Sequence, residues 1–215
     1  MNNFIYLVRH GETEWNNKNI MHGQIDVPLN ELGIKQAKLL GQELKDVHFD
    51  VCFCSTLGRA KQTASEILKY HDDVPIIYDD RLMELYKGTL EGTHNSSEAI
   101  LKNEQLEILQ KYDIESKAHF FTRVNSLTEE ILTNYADKDV LIVSHSGTVK
   151  MIMFYLNPPE ETINEAYYKV HVKNCSVQRF DNIKSNQQAK LVNYAVNQDD
   201  WPYIAEFKVG VNVKQ

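Results

Sequence analysis

Three short apolar runs constrain this chain most, because each stops abruptly at charged or reactive residues. Phe4 to Val8 runs into Arg9-His10-Gly11-Glu12-Thr13, Val51 to Cys54 into Ser55-Thr56-Leu57-Gly58-Arg59, and Val140 to Val143 into Ser144-His145-Ser146-Gly147. Short β-forming runs bounded in this way read as strands buried on both faces. Between them the apolar spacing turns helical. Asn30 is a plausible N-cap for Ile34, Ala37, Gly41 and Leu44, and Ser55 or Thr56 for Ala60, Ala64, Ile67 and Leu68. Pro75-Ile76-Ile77-Tyr78 reads as a further strand. Residues 97–111 and 116–135 read as helices, and Gly147 to Leu156 as a helix stopped by Pro158-Pro159. Tyr168 to Val172, Cys175 to Phe180 and Leu191 to Tyr194 read as late strands.

Strands alternating with helices predict an α/β fold: a three-layer sandwich with a mostly parallel central sheet and helices on both faces. A length of 215 residues with 42% hydrophobic content suits one domain over 1–215 and a sizeable core without disulfide or metal. Composition gives no internal boundary, although the helical stretch at about 93–135 could form a cap insertion. Cys52 and Cys54 flank Phe53, so on a strand both point to one face; with Cys175 they read as buried free thiols, which fit a reducing, cytoplasmic compartment. No basic leader followed by an apolar stretch opens the sequence, and no apolar run is long enough to span a membrane. The net charge of −7, with no run of Lys or Arg, argues against nucleic acid as a partner. An anionic substrate would need a locally positive pocket.

Such a pocket is implied by the topology. In doubly wound sheets ligands collect beyond the carboxyl ends of the strands. Parallel pairing would bring Arg9, His10, Arg59 and His145 to one crevice, although they lie far apart in sequence. Taken singly, each His reads as a structural or surface residue and each Arg as a solvated charge. Together they suit phosphoryl chemistry: a guanidinium binds two oxygens at once, a helix beginning near Gly147 offers backbone N–H groups to an anion, and imidazole is a nucleophile near neutral pH.

The segments Leu7-Val8-Arg9-His10-Gly11-Glu12-Thr13-Glu14-Trp15-Asn16, Gly23 to Gly33, Ser55 to Ala64, Leu82 to Gly92 and Val143 to Gly147 occur in an order that resembles the histidine phosphatase superfamily, in its phosphoglycerate mutase-like branch. Asn174-Cys175-Ser176-Val177 is similar to that family's late strand. The resemblance covers about residues 3 to 180 and implies a phosphoglycerate mutase-like fold. It further implies that His10 attacks phosphorus, that Arg9, Arg59 and His145 surround the phosphoryl oxygens, and that Asn16 adds a hydrogen bond. It makes Glu84 the general acid and then the general base, and it calls for no metal or other cofactor. The sequence agrees in lacking clustered carboxylates of metal-ligand type. As an acid near neutral pH, Glu84 would need a raised pKa, from burial among Leu82, Met83 and Leu85 or from the incoming phosphate.

His22, Gly23, Gln24 and Ser146 are candidate substrate contacts at the pocket edge. His22 reads equally as a solvated loop residue. Leu90 replaces a Trp common among relatives, which removes an aromatic wall or alters packing. Tyr86, Tyr155 and Trp201 are candidates for the pocket mouth or for the core. The favoured function is a metal-independent phosphatase acting on small phosphorylated metabolites. The alternatives are a cofactor-dependent phosphoglycerate mutase and a non-catalytic phospho-ligand-binding relative. Residues 93–121 contain Lys102, Lys111 and Lys117 but no Arg, so a paired-arginine carboxylate clamp is absent there. The expected partner is a small phosphorylated metabolite, and both a monomer and a homodimer stay open as oligomeric states.

Overall fold

The computed structural model describes residues 3–94, 105–182, 191–196 and 204–205. Its strands are β1 (Asn3–Arg9), β2 (Val51–Cys54), β3 (Ile76–Tyr78), β4 (Val140–Ser144), β5 (Val177–Asn182), β6 (Leu191–Val196) and β7 (Ile204–Ala205), in the spatial order β3-β2-β4-β1-β5-β6-β7. The pairs β3–β2, β2–β4 and β4–β1 are parallel; β1–β5, β5–β6 and β6–β7 are antiparallel. The parallel half carries every strand whose carboxyl end the apolar runs place at the crevice.

Strand periodicity divides the core into two layers. Ile5, Leu7, Val51, Phe53, Val140 and Ile142 face one side, while Tyr6, Val8, Cys52, Cys54, Leu141 and Val143 face the other. The second face is covered by α2 (Glu31–Leu44) and α3 (Gly58–Leu68), which contribute Ala37, Leu40, Ala60, Ala64 and Ile67. The first is covered by α5 (Lys117–Asn134) and α6 (Ser146–Leu156). The three-layer α/β sandwich is therefore as expected. Two short helices complete the near part of the chain: α1 (Glu14–Asn17), which comes after the His10 loop, and α4 (Leu106–Tyr112), which starts after an extended N-cap at Gln105; residues 97–104 of the helix expected over 97–111 lie outside the described residues. Cys52, Cys54 and Cys175 are buried free thiols, as the sequence predicts. Among the described residues no helix is long and apolar enough to cross a membrane.

Two expectations need correction. Asn30 caps α2 as predicted, its Oδ1 accepting the Gly33 N–H at 2.7 Å. Neither Ser55 nor Thr56 caps α3; the N-cap is Leu57, and the carboxylate of Asp26 accepts the Gly58 N–H through both oxygens at 2.8 and 3.0 Å. The two hydroxyls are used elsewhere, Ser55 Oγ against His145 Nε2 and Thr56 Oγ1 donating to Asp80. The strand expected at Tyr168 to Val172 is also wrong. Its first half belongs to the helix α7 (Ile163–Lys169), opened by a reciprocal capping box between Thr162 and Glu165.

The turn after β1 depends on close backbone approach. A methyl on Gly33 would overlap the carbonyl of Glu12, and one on Gly11 would sit 2.5 Å from the carbonyl of Gly33. This contact seats α2 against the loop that begins at His10. Gly33→Ala is expected to destabilise the protein by about 1–3 kcal/mol through overpacking; an unchanged urea midpoint would show that the contact relaxes without cost.

Candidate active site

His10 stands one residue beyond β1 and is 3% exposed. Its N–H donates to the Ser144 carbonyl at 2.9 Å, and the next amide, Gly11, donates to Thr63 Oγ1 at 3.0 Å. The ring Nδ1 lies 2.7 Å from the Gly11 carbonyl. A carbonyl only accepts, so Nδ1 carries the proton and Nε2 keeps its lone pair. Asn174 Nδ2 and the Cys175 N–H donate to the His10 carbonyl from behind, at 3.0 and 3.3 Å, and Cys175 takes the left-handed φ of 52° that brings its amide there. Burial, then the charges of Arg59 and Arg9, push the imidazole pKa well below 6.5, so the ring is neutral.

Arg59, in the first turn of α3, is 0% exposed. Its Nη1 donates to the Ile25 carbonyl at 3.0 Å, its Nη2 to the Gly23 carbonyl at 2.7 Å, and its Nε to His145 Nδ1 at 3.2 Å. The loop that receives it is gathered by one carboxylate. Glu91 accepts from the amides of Gln24, Lys87 and Ile25 at 2.9, 3.0 and 2.8 Å, and a side chain on Gly23 would collide with it. His145 lies beside His10, with ring centroids 5.2 Å apart. Because Arg59 Nε is always a donor, His145 Nδ1 accepts and its proton rests on Nε2, 2.8 Å from Ser55 Oγ. The two histidines are therefore opposite tautomers. Burial, then Arg59 and His10, keep His145 neutral as well.

Arg9 donates from Nη1 to the Val172 carbonyl at 2.6 Å. Its Nε is buried without a partner among the described residues, which leaves a donor for an anion. Burial lowers its pKa to about 10, with Glu84 opposing, so the cation persists at neutral pH. Glu84 is 6% exposed beside Leu82 and Leu85, in keeping with the burial its neighbours suggest. Its Oε1 accepts from the Leu85 amide at 2.9 Å and its Oε2 from the Gly147 amide at 3.0 Å. Gly147 admits this approach because a side chain there would overlap the carboxylate. The β1, β2 and β4 ends thus bring Arg9, His10, Arg59, Glu84 and His145 together.

The remaining candidates divide. Asn16 Oδ1 is committed to the Thr13 amide and hydroxyl, each at 3.1 Å, and to Asn174 at 3.3 Å, so its NH2 end alone is left for a ligand. His22 is half-buried at the site, 6.4 Å from the His10 ring centroid and with Nε2 2.6 Å from Thr13 Oγ1; burial, then Arg59, lowers its pKa to about 3. Gln24 spends its Nε2 on the Glu84 carbonyl at 3.2 Å and supports the loop. Ser146 opens α6 and is half-buried. Leu90 packs with Met21 and Ile114, a packing role. Tyr86 OH donates to Asp113 and Tyr155 OH to Glu129, while Trp201 lies outside the described residues. Sequence reasoning missed Lys87. Burial lowers its pKa, opposed by Glu84 and Glu91, and its charge in turn lowers that of His22. Only its place three residues after Glu84 could have flagged it. Among the described residues no cluster of His, Cys, Asp or Glu is arranged to hold a metal ion.

Comparison with known proteins points to one family. Residues 5–195 match the profile of the histidine phosphatase superfamily (branch 1). A broad-specificity phosphatase of Saccharomyces cerevisiae is 32% identical over 191 residues, covering 86% of this chain and 81% of its own. A 2,3-bisphosphoglycerate-dependent phosphoglycerate mutase of Methylobacterium is 34% identical over 170 residues, covering 73% and 82%. The crystal structure of a putative α-ribazole-5′-phosphate phosphatase from Escherichia coli superposes with a TM-score of 0.76 at 26% identity, covering 90% of this chain and 96% of that one.

Three depressed imidazoles have a measurable consequence. A histidine in the unfolded chain binds a proton near pH 6.5, whereas His10, His22 and His145 in the fold do not. The unfolded state therefore takes up more protons on acidification, and stability falls as pH drops below about 6.5. The 13Cε1 resonances of these three rings should show no titration between pH 8 and 5; a His10 midpoint near 6.5 would contradict the electrostatic description.

Proposed function

This chain belongs to branch 1 of the histidine phosphatase superfamily, and on that premise we propose that it hydrolyses small phosphomonoesters through a phosphohistidine on His10, without a metal ion. The observation that carries this reading is the His10 ring itself: neutral, pinned as the Nδ1–H tautomer, and buried between two arginines. Nε2 attacks phosphorus while the bond to the ester oxygen breaks. Glu84 gives its proton to the departing oxygen. Glu84 then takes a proton from water, whose oxygen attacks the phosphoryl group; the P–N bond breaks and inorganic phosphate leaves. Arg9 and Arg59 hold the spread negative charge of both transition states, with Lys87 adding to the local potential.

His145 has a conditional part in this scheme. Both of its ring nitrogens are engaged by protein groups, so a direct contact with a phosphoryl oxygen requires the Nε2 proton to leave Ser55 Oγ for it, or the ring to turn away from Arg59.

The mutase relative supports a second reading, in which the phosphoryl group returns to an acceptor hydroxyl. That reaction must also grip a carboxylate. The first arginine after the lysines of residues 93–121 is Arg123, and its guanidinium is already bonded to protein carbonyls and to Glu115. Hydrolysis therefore accounts better for the residues present. The buried free thiols suit a reducing compartment, and the reading includes a cytoplasmic location.

The wild-type protein is expected to hydrolyse para-nitrophenyl phosphate at an unchanged rate in EDTA, and His10→Ala to abolish turnover; loss of activity in the chelator contradicts the metal-free route. Arg59→Ala should lower kcat/KM about a hundredfold or more. Glu84→Gln should slow alkyl phosphates far more than the activated aryl ester, because only the poor leaving group needs the proton. Equal loss on both substrates would remove Glu84 from that role.

A further inference from the structure

Glu84 lies in an irregular segment with no sheet ladder or α-helix to hold it, yet general acid catalysis requires its carboxyl to be held within a fraction of an ångström. The carbonyls of this segment are bonded instead by side chains from distant elements. Ser144 Oγ donates to the Leu82 carbonyl at 2.6 Å, Thr148 Oγ1 to the Met83 carbonyl at 2.9 Å and Gln24 Nε2 to the Glu84 carbonyl at 3.2 Å. Arg123, on α5, reaches three carbonyls of the segment. Its Nη1 donates to those of Arg81 and Met83 at 2.9 and 3.0 Å, and its Nη2 to that of Glu84 at 3.0 Å.

The guanidinium is itself held on its other edge. Glu115 accepts from Arg123 Nε at 2.7 Å and Nη2 at 2.9 Å, a bidentate pair with side chains 14% and 6% exposed. The Phe120 ring lies against it, 4.6 Å from the guanidinium carbon. Glu115 grips the same segment a second time, because its carboxylate accepts the Tyr86 amide at 3.2 Å and its own amide donates to the Tyr86 carbonyl at 3.0 Å.

We propose that Arg123 is a positioning residue for the general acid: its fork across the carbonyls of Arg81, Met83 and Glu84, braced by Glu115, sets where the Glu84 carboxyl lies relative to His10. The proposal rests on the hydrolase reading for its kinetic consequence and on geometry alone for the placement of Glu84. It explains why an arginine is needed. A lysine could pair with Glu115, but its single ammonium cannot span three carbonyls and a carboxylate.

Arg123→Lys is the test, because it keeps the buried charge pair, whereas Arg123→Met would take the arginine from Glu115, leave it His119 and the Tyr86 amide alone, and endanger folding. On glycerol phosphate, an alkyl ester, kcat should fall roughly tenfold or more with KM nearly unchanged, while para-nitrophenyl phosphate should change by less than about threefold. In a Glu84→Gln background the same substitution should cost nothing further on glycerol phosphate, since two residues acting through one step are not additive. The 15N–1H resonances of Leu85 and Gly147, the amides that hold the Glu84 carboxylate, should shift in Arg123→Lys. Equal losses on both esters, full additivity with Glu84→Gln, or unshifted amides would each overturn the proposal. If the wild-type protein cleaves neither ester, the hydrolase reading fails, and the two amide resonances still decide whether Arg123 positions Glu84.

Discussion

The parallel pairing of β1 with β4 is the interaction on which the site depends. Arg9 stands in register with Ser144, and the His10 N–H continues the ladder into the Ser144 carbonyl at 2.9 Å. The β4–β2 pairing extends the alignment, with the Ser55 amide donating to the Val143 carbonyl at 3.0 Å. Three strand ends therefore stop at one level, and the residues just beyond them must share one crevice. A one-residue slip of β1 would carry His10 away from His145 and turn Ile5 and Leu7 out of the layer they share with Phe53 and Ile142. The apolar core and the polar site are thus two consequences of one register.

Burying Arg59 entirely would be costly without partners, and the structure shows how the cost is offset. Its guanidinium meets two loop carbonyls, those carbonyls belong to a loop whose amides Glu91 collects, and its Nε meets His145. The charge stays in place, and it acts on its neighbours. Burial first, and then this charge with that of Arg9, keeps His10 unprotonated, so the ring whose lone pair is needed is available without a separate base. The same positive field that would draw a phosphate in also keeps the imidazole nucleophilic. Glu84 completes the set, seated on the start of α6 because Gly147 has no side chain there.

Much of this is legible in the sequence because it rests on local pattern. Strands ending in Arg9-His10, Ser55 and Ser144-His145 declare themselves by apolar runs that stop at reactive residues, and Asn30 announces α2 by its capping chemistry. Sequence and structure part where a side chain works across the chain. Ser55 and Thr56 look like caps, but they are occupied by His145 and Asp80, and the capping carboxylate comes from Asp26. The β-rich composition of Tyr168 to Val172 masks the Thr162 and Glu165 signal that starts a helix before it. Gln24 reads as a substrate contact, and its Nε2 has a second use in supporting the Glu84 loop. Nothing in apolar spacing or capping chemistry marks the roles of Lys87, Glu91 and Arg123, since their partners are fixed only when residues 23–25, 81–87 and 115–123 come together.

The proposed carrier of the phosphoryl group is His10 Nε2. Mixing the enzyme with a 32P-labelled phosphomonoester, stopping the reaction in base within one turnover, and sequencing the labelled peptide tests it most directly. An acid-labile, base-stable label is expected on the peptide containing His10, released as inorganic phosphate when turnover is allowed to finish. Label on another residue, or steady hydrolysis with no labelled enzyme at any time, would contradict it.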